Sequence, residues 1–548
     1  MGRADRLALL GLCVIWALAC VVMGPVGEFP LNDDWSYALA ARSLSEDGKL
    51  VLSDFTSMPL ITQLLWGYPF LLAGGGFSFT ALRVSTLVLA GIGILAGYGC
   101  ARVLRASPCH AAVVALALMS NGVFVALSAT YMSDVPFLAL LLLAFFCLFR
   151  GLETARPGWV VGACGLALLA TLLRQLGLAF FIGLIPVIWL RFGRNRRAFV
   201  LSVAPLLAGI AALAGYQVLL RSLGPLPVLY TTKSQDLRAM LSDLLALHFG
   251  ALRVPLANLL QSIAYLGAWL APVLLVLGRW QRRQVWMLVA AGAFGLGLAA
   301  WFGPWLPSKL RGNIWVDWGL GARTLPGGPV APELVWSAVS ALGLVGILAL
   351  VLLVPWRRVV LGLPEGLRAG DPTSLVACFL VVANVVYWLP LACQYGPFFD
   401  RYLLLPFASG LLLLSRLALS TQQLTRAALV SALVLVGSVG FTHDYLAWNR
   451  VRWQLTEEVK ARGGPGVRIA GGYEYDKMLL EEQRRRGERA DPDPEPPDYR
   501  IELGGVVAGP EGVDRRNGVY SRKAETWMPW SSVSVRAVPL APSGALQR

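Results

Sequence analysis

The sequence predicts an all-α protein that crosses a membrane many times and ends in a small α/β domain. Three observations lead there. Of 548 residues, 56% are hydrophobic and only 14% are charged. The mean hydropathy is +0.62, and membrane-length apolar segments recur from near the N-terminus to about residue 441. Ordinary soluble domains do not have this composition.

A membrane helix needs roughly 20 apolar residues. Such segments fall near 7–25, 79–101, 111–130, 135–149, 158–173, 175–191, 198–221, 256–278, 285–303, 333–355, 373–393, 402–419 and 427–441. That predicts about thirteen spans. The first follows Met1-Gly2-Arg3-Ala4-Asp5-Arg6 and resembles a signal peptide, but no small-x-small cleavage site follows it, so it reads as a retained helix. Arginine groups at Arg3/Arg6, Arg102/Arg105, Arg150/Arg156, Arg191/Arg194/Arg196/Arg197, Arg279/Arg282/Arg283, Arg357/Arg358/Arg368 and Arg416/Arg426 all fall on one face. The positive-inside rule makes that face cytoplasmic.

Residues 1–441 therefore form the transmembrane domain, and an odd number of spans places the tail, 442–548, outside. The tail carries an amphipathic stretch near Tyr445–Val459 and β-like runs at Val467–Ala470 and Val533–Val538. Its run Glu481–Arg500, rich in Glu, Arg, Asp and Pro, reads as a solvated segment. Longer external loops fall near Gly24–Ser78, Ser222–Pro255, Pro304–Glu333 and Gln394–Arg401, with tight external hairpins at Tyr131–Pro136 and around Arg174.

The net charge of +15 sits in short groups between spans, as expected of loops facing anionic lipid, which argues against a nucleic-acid partner. Most of the eight cysteines lie inside apolar runs without metal-type spacing. The three histidines, His110, His248 and His443, have none either.

The first external loop is acidic, unlike the basic loops opposite. It opens on Leu31-Asn32-Asp33-Asp34-Trp35-Ser36-Tyr37. Short polar side chains before an apolar-periodic run can cap a helix, and Trp35–Ala41 has the spacing of a helix lying along the membrane surface. One of two adjacent carboxylates is enough for capping, which leaves the other for chemistry. Asp134, in Ser133-Asp134-Val135-Pro136, reaches the same face, where it fits a first-turn position or a shared site. Three carboxylates converging there could hold a divalent metal and take a proton. Cations on that face are Arg83, Arg174, Lys233, Arg238, Lys309, Arg311, Arg323 and Arg401. Arg174 stands out because it sits at a hairpin between two apolar runs, and Arg401 because Asp400 beside it offers an ion pair.

Together these motifs resemble the GT-C superfamily of membrane glycosyltransferases, specifically bacterial relatives of the protein O-mannosyltransferases and the aminoarabinose lipid A transferases. The likeness rests on Asn32-Asp33-Asp34-Trp35 with Tyr37, Leu82-Arg83, Ser133-Asp134-Val135-Pro136, Arg174-Gln175 and Asp400-Arg401-Tyr402-Leu403, in that order. It implies a GT-C fold of about thirteen helices with a periplasmic C-terminal domain. It also implies inverting transfer of a sugar from a polyprenyl-phosphate donor to a lipid, glycan or protein acceptor at the outer face of a bacterial inner membrane. Asp33 matches the catalytic position and Asp34 the second acidic one. Asp134, with Asp34, would hold a divalent metal, and Arg174, Arg401 and Arg83 would bind donor phosphate. No nucleotide or organic cofactor is expected. One departure concerns a Lys-Pro-Pro element of many relatives, where this chain has Ser57-Met58-Pro59-Leu60, so a phosphate-binding lysine is missing. The competing class is a transporter or flippase of lipid-linked or small solutes. It fits less well, because coupled transporters place ionisable groups at the membrane midplane, and these spans have almost none.

Overall fold

The computed structural model describes residues 2–540 except 247, 304–312, 318, 323, 329, 394–397, 465, 487–495, 505–511, 515–518 and 528–531. Lys309, Arg311, Arg323 and much of the Glu481–Arg500 run lie outside the described residues.

The first half of the chain forms α1 (Arg3–Met23), α2 (Asp34–Asp47), α3 (Ile61–Ala73), α4 (Phe79–Val103), α5 (Pro108–Ser120), α6 (Gly122–Ser128), α7 (Asp134–Thr154), α8 (Pro157–Leu173) and α9 (Leu178–Phe192). It continues through α10 (Arg196–Leu223), α11 (Val228–Leu245), α12 (Arg253–Leu277), α13 (Arg282–Phe302), α14 (Glu333–Leu353), α15 (Trp356–Arg368) and α16 (Pro372–Ala392). The last helices are α17 (Leu404–Leu414), α18 (Thr421–Gly463) and α19 (Tyr473–Arg485). Each of the thirteen apolar segments is helical, but their lengths differ. Among the described residues ten helices are long and apolar enough to cross a membrane. α5 and α6 make one more span bent by 67°, while α8 has 17 residues and α17 only 11. The bend has a local cause. Asn121 leaves the helix for extended backbone, and its side chain accepts a hydrogen bond from Phe124 N, capping α6 afresh.

Large apolar side chains stand bare on the outer helices, among them Leu7 and Leu18 of α1, Leu207 and Val218 of α10, and Trp286 and Phe294 of α13. In water these would form sticky patches, whereas in lipid they are the expected surface. The chain is a polytopic helical membrane protein. α7 is the most enclosed of the long helices, which puts Asp134, its first residue, at the head of the bundle's centre.

The two ends of the bundle differ. At one end Arg102 pairs with Asp5, Arg191 donates to the Leu152 carbonyl and Arg416 to that of Leu104. These are the arginine-rich loops of the sequence, gathered together. At the other end residues 24–78 are tied to two neighbouring hairpins. Leu60 N donates to Leu173 O, Gln175 to Ser57 O and Gln63 to Tyr131 O.

The expected helix is present as α2, and the rest of the protein covers it. Every residue from Asp34 to Ala41 is buried. α3 packs along α2, and α19 reaches over its far end and the loop beyond, with Arg485 bonded to Ser43, Arg484 paired with Asp54 and Lys477 over the Phe55 ring.

α18 runs for 43 residues without a break through residue 442 and into the tail. On its far half rests a sheet of β1 (Ile469–Ala470), β2 (Tyr499–Leu503), β3 (Gly512–Asp514), β4 (Val519–Glu525) and β5 (Ser532–Pro539), ordered β1-β2-β5-β4-β3. Its first pair is parallel and the others antiparallel. A small core of Leu455, Val459, Ile469, Tyr475, Ile501, Val535 and Ala537 joins sheet, α18 and α19.

Candidate active site

Asp33 and Asp34 begin α2 and face different surroundings. Asp33 occupies the N-cap position but makes no cap hydrogen bond. One of its carboxylate oxygens accepts from the Tyr473 hydroxyl at 2.9 Å, the other from Arg401 Nη2 at 3.3 Å. Its side chain keeps 27% of its exposure, against 5% for Arg401. Asp34 is fully enclosed. It reaches back to accept from Leu31 N at 2.6 Å and across to Tyr131 N at 3.1 Å. Burial outweighs the nearby Arg83 charge and these amide bonds, pushing its carboxyl up to about 7. Asp34 thus fastens the loop to the turn before α7, and Asp33 is the reachable carboxylate.

Asp134 pairs with Arg174, both side chains being buried, and the second oxygen of Asp134 has no hydrogen-bond partner. Burial disfavours the charged form of Arg401, but the Asp134 and Asp33 carboxylates overcome it and hold that guanidinium above its usual range. The same four groups, Asp33, Arg174, Arg401 and Asp134, all act on the buried Tyr37 hydroxyl. One charged cluster therefore surrounds Tyr37. Asp400 does not join it. Its oxygens accept from Ile314 N, Trp315 N and the backbone N of Arg401. The adjacent pair in the sequence is a backbone clasp, which leaves the Arg401 guanidinium to reach Asp33.

Beside this cluster opens a cavity of about 300 Å³. Arg174, Gln175, Lys233 and Tyr402 supply its polar wall, and Met58, Leu213, Leu237, Pro390 and Leu391 its apolar one. Met58, where a lysine was looked for, is part of the site. Its sulfur takes the Ser133 hydroxyl at 2.9 Å and the Tyr37 hydroxyl at 3.6 Å. A thioether carries no charge, and the cation that α11 delivers to the cavity is Lys233.

Two expectations change. Arg83 is enclosed and its guanidinium serves the backbone: it donates to the carbonyls of Pro25 at 3.1 Å, Gly27 at 2.9 Å and Phe29, while stacking over the Phe29 ring. It anchors the start of the first loop and does not line the cavity beside the cluster. Asp34 and Asp134 do not make a metal cage either. No group of three His, Cys, Asp or Glu side chains suited to a metal occurs among the described residues. Asp134 gives one oxygen to Arg174 and Asp34 gives both of its oxygens to amides, which leaves this pair a single unpartnered oxygen, Asp134 Oδ2.

The tail contributes what the sequence reading missed. Tyr473 and Glu474, at the start of α19, touch Asp33 and the Asn32 amide. The only hint is local, a Gly471-Gly472 pair before Tyr473-Glu474-Tyr475-Asp476, an acidic helix start. Nothing in it points to Asp33.

No protein-family model and no curated protein sequence matches the chain. Among solved structures it is similar to ArnT from Cupriavidus metallidurans in the apo state, at 16% identity over 96% of this chain and 98% of that one, with a TM-score of 0.37. The same protein bound to undecaprenyl phosphate gives 15% identity, the same coverage and a TM-score of 0.36. The S. cerevisiae protein O-mannosyltransferase Pmt1-Pmt2 complex bound to the sugar donor gives 14% identity over 40% of this chain and a TM-score of 0.33, and the chain spans 33% of that one's length. At such scores these likenesses carry no weight in reading the site.

Proposed function

We propose that the protein is an inverting glycosyltransferase of the GT-C kind, moving a sugar from a polyprenyl-phosphate donor to an envelope lipid, glycan or protein. It would act at the periplasmic face of a bacterial inner membrane, the end of the bundle away from the arginine-rich loops. The observation that carries the reading is the cavity in which Arg174 and Lys233 face an apolar wall, next to a reachable Asp33. A lipid phosphate needs both: an apolar groove for the chain and cations for the head.

In this reading the acceptor hydroxyl lies against Asp33 and passes its proton to the carboxylate as its oxygen attacks the anomeric carbon. The bond from that carbon to the phosphate oxygen breaks on the opposite face, inverting the centre. The electron pair leaves with the phosphate, where Arg174 and Lys233 offset the growing charge. Arg401 sits behind Asp33 and keeps it oriented. No step requires a metal.

Mass spectrometry of envelope glycolipids, glycans and glycoproteins from a deletion strain tests the reading. One sugar-bearing species should vanish and return with the intact gene, and an unchanged glycan profile would overturn the proposal.

A further inference from the structure

We propose that Tyr473 and Glu474 of the C-terminal domain are positioning residues of the transfer site, and that the site is complete only while this domain is docked on the first loop. The proposal rests on reading Asp33 as the base.

The contacts run in an unbroken chain from the tail to the reacting group. Arg452, on the far half of α18, donates to Glu474 at 2.9 Å and through Nε and Nη2 to the Gly471 carbonyl at 2.8 and 2.6 Å. Both partners of this ion pair are enclosed, with side chains 1% and 0% exposed. Removing one charge from such a pair is costly, so its geometry is fixed. Gly472 permits the approach. It has φ +92, and a Cβ there would meet Arg452 Nη2 at 2.7 Å. The other oxygen of Glu474 then accepts from Asn32 N at 3.0 Å.

Asn32 is where the first loop decides which way its carboxylates point. It has φ 55, in the left-handed region that asparagine enters at some cost. This turn sends Asp34 inward to its two amides and leaves Asp33 toward α19. Glu474 holds the turn by its backbone. Tyr473 holds the outcome, its hydroxyl on Asp33 Oδ1 opposite Arg401 on Oδ2. Burial and the Asp33 charge push that phenol above its usual range, so it remains a donor. A carboxylate has about four acceptor sites. Two are used here, which fixes the plane of the group while leaving lone pairs for an acceptor hydroxyl. The small core between α18, α19 and the sheet would hold the domain together without a phenol aimed at the loop, so packing alone does not account for Tyr473.

Two measurements on the full-length protein in liposomes test this. The first needs no substrate: hydrogen exchange followed by mass spectrometry on the peptide spanning 29–36. Glu474→Gln weakens a charge-assisted bond to a neutral one, and exchange there should quicken about tenfold while α7 and α9 keep their protection. Unchanged exchange at 29–36 would overturn the docking role. The second titrates each variant with detergent-solubilised envelope extract from the deletion strain, which supplies donor and unmodified acceptor. Tyr473→Phe should lower the maximal rate about tenfold and leave the half-saturating amount of extract within about twofold. A wild-type rate, or a shift in half-saturation alone, would show that Tyr473 does not position the base. Asp33→Asn is run beside it: if that variant transfers normally, the reading of Asp33 fails, while the exchange result still judges the docking on its own.

Discussion

Asp33 and Asp34 are neighbours in the chain, yet they show how a single turn separates two kinds of carboxylate. Asp34 is sealed in, both oxygens are taken by backbone amides, and its carboxyl titrates near neutrality. Asp33 is partly open, and its partners are an arginine and a phenol rather than the backbone. Amides around a buried carboxylate shape a loop, whereas charged and hydroxyl partners around an open one leave room for a reactant. The difference arises at Asn32 and from what lies on each side, α7's entrance for one residue and α19 for the other.

The contrast can be broken most directly by Asp33→Asn, which should lower transfer by about 100-fold or more, as loss of a general base does. Protein amount and melting temperature should stay at wild-type values, and full transfer by this variant would remove Asp33 from the chemistry. Asp34→Ala should do the reverse. Leaving the Leu31 and Tyr131 amides without an acceptor should cost about 3 kcal/mol of stability, read as a lower denaturation midpoint. An Asp34→Ala protein as stable as wild type would show that the buried carboxylate is no fastener. Lys233→Ala sharpens the comparison from the cavity side: half-saturation should rise about fivefold, in line with the loss of one charge-assisted contact, with little change in maximal rate.

The smallest effect is a pH slope. Because the folded protein holds the Asp34 proton up to about 7 rather than the usual 3.8, it binds that proton more tightly than the unfolded chain does. The contribution of Asp34 to stability is therefore full at acid pH and lost as pH rises through about 7. Melting curves from about pH 5 to 8 should show wild type losing ground to Asp34→Asn. A gap that does not change would contradict the buried titration.

Much of this was legible in the sequence. Hydropathy and arginine placement found every helix long enough to span the membrane and the end of the bundle where the charged cluster forms, because both signals are local, but the shorter apolar α3 was left inside the first loop. Hydropathy does not measure helix length, so the short α17 and the break at Asn121 went unseen. The assembly of Asp33, Asp134, Arg174 and Arg401 followed from loops sharing one face. What could not be read was the use of each side chain. Arg83 and Arg401 look alike in the chain, and only the carbonyls of residues 25–29 around one and the carboxylates around the other set their tasks apart. The Tyr473 contact spans 440 residues, and no periodicity carries information that far.

α18 gives the molecule a mechanical property. At about 1.5 Å per residue its 43 residues make a rod roughly 65 Å long, twice the apolar thickness of a bilayer. Its near half packs in the helix bundle and its far half carries Arg452, which holds Glu474 beside Tyr473, so one unbroken helix ties the membrane part to the domain that touches Asp33.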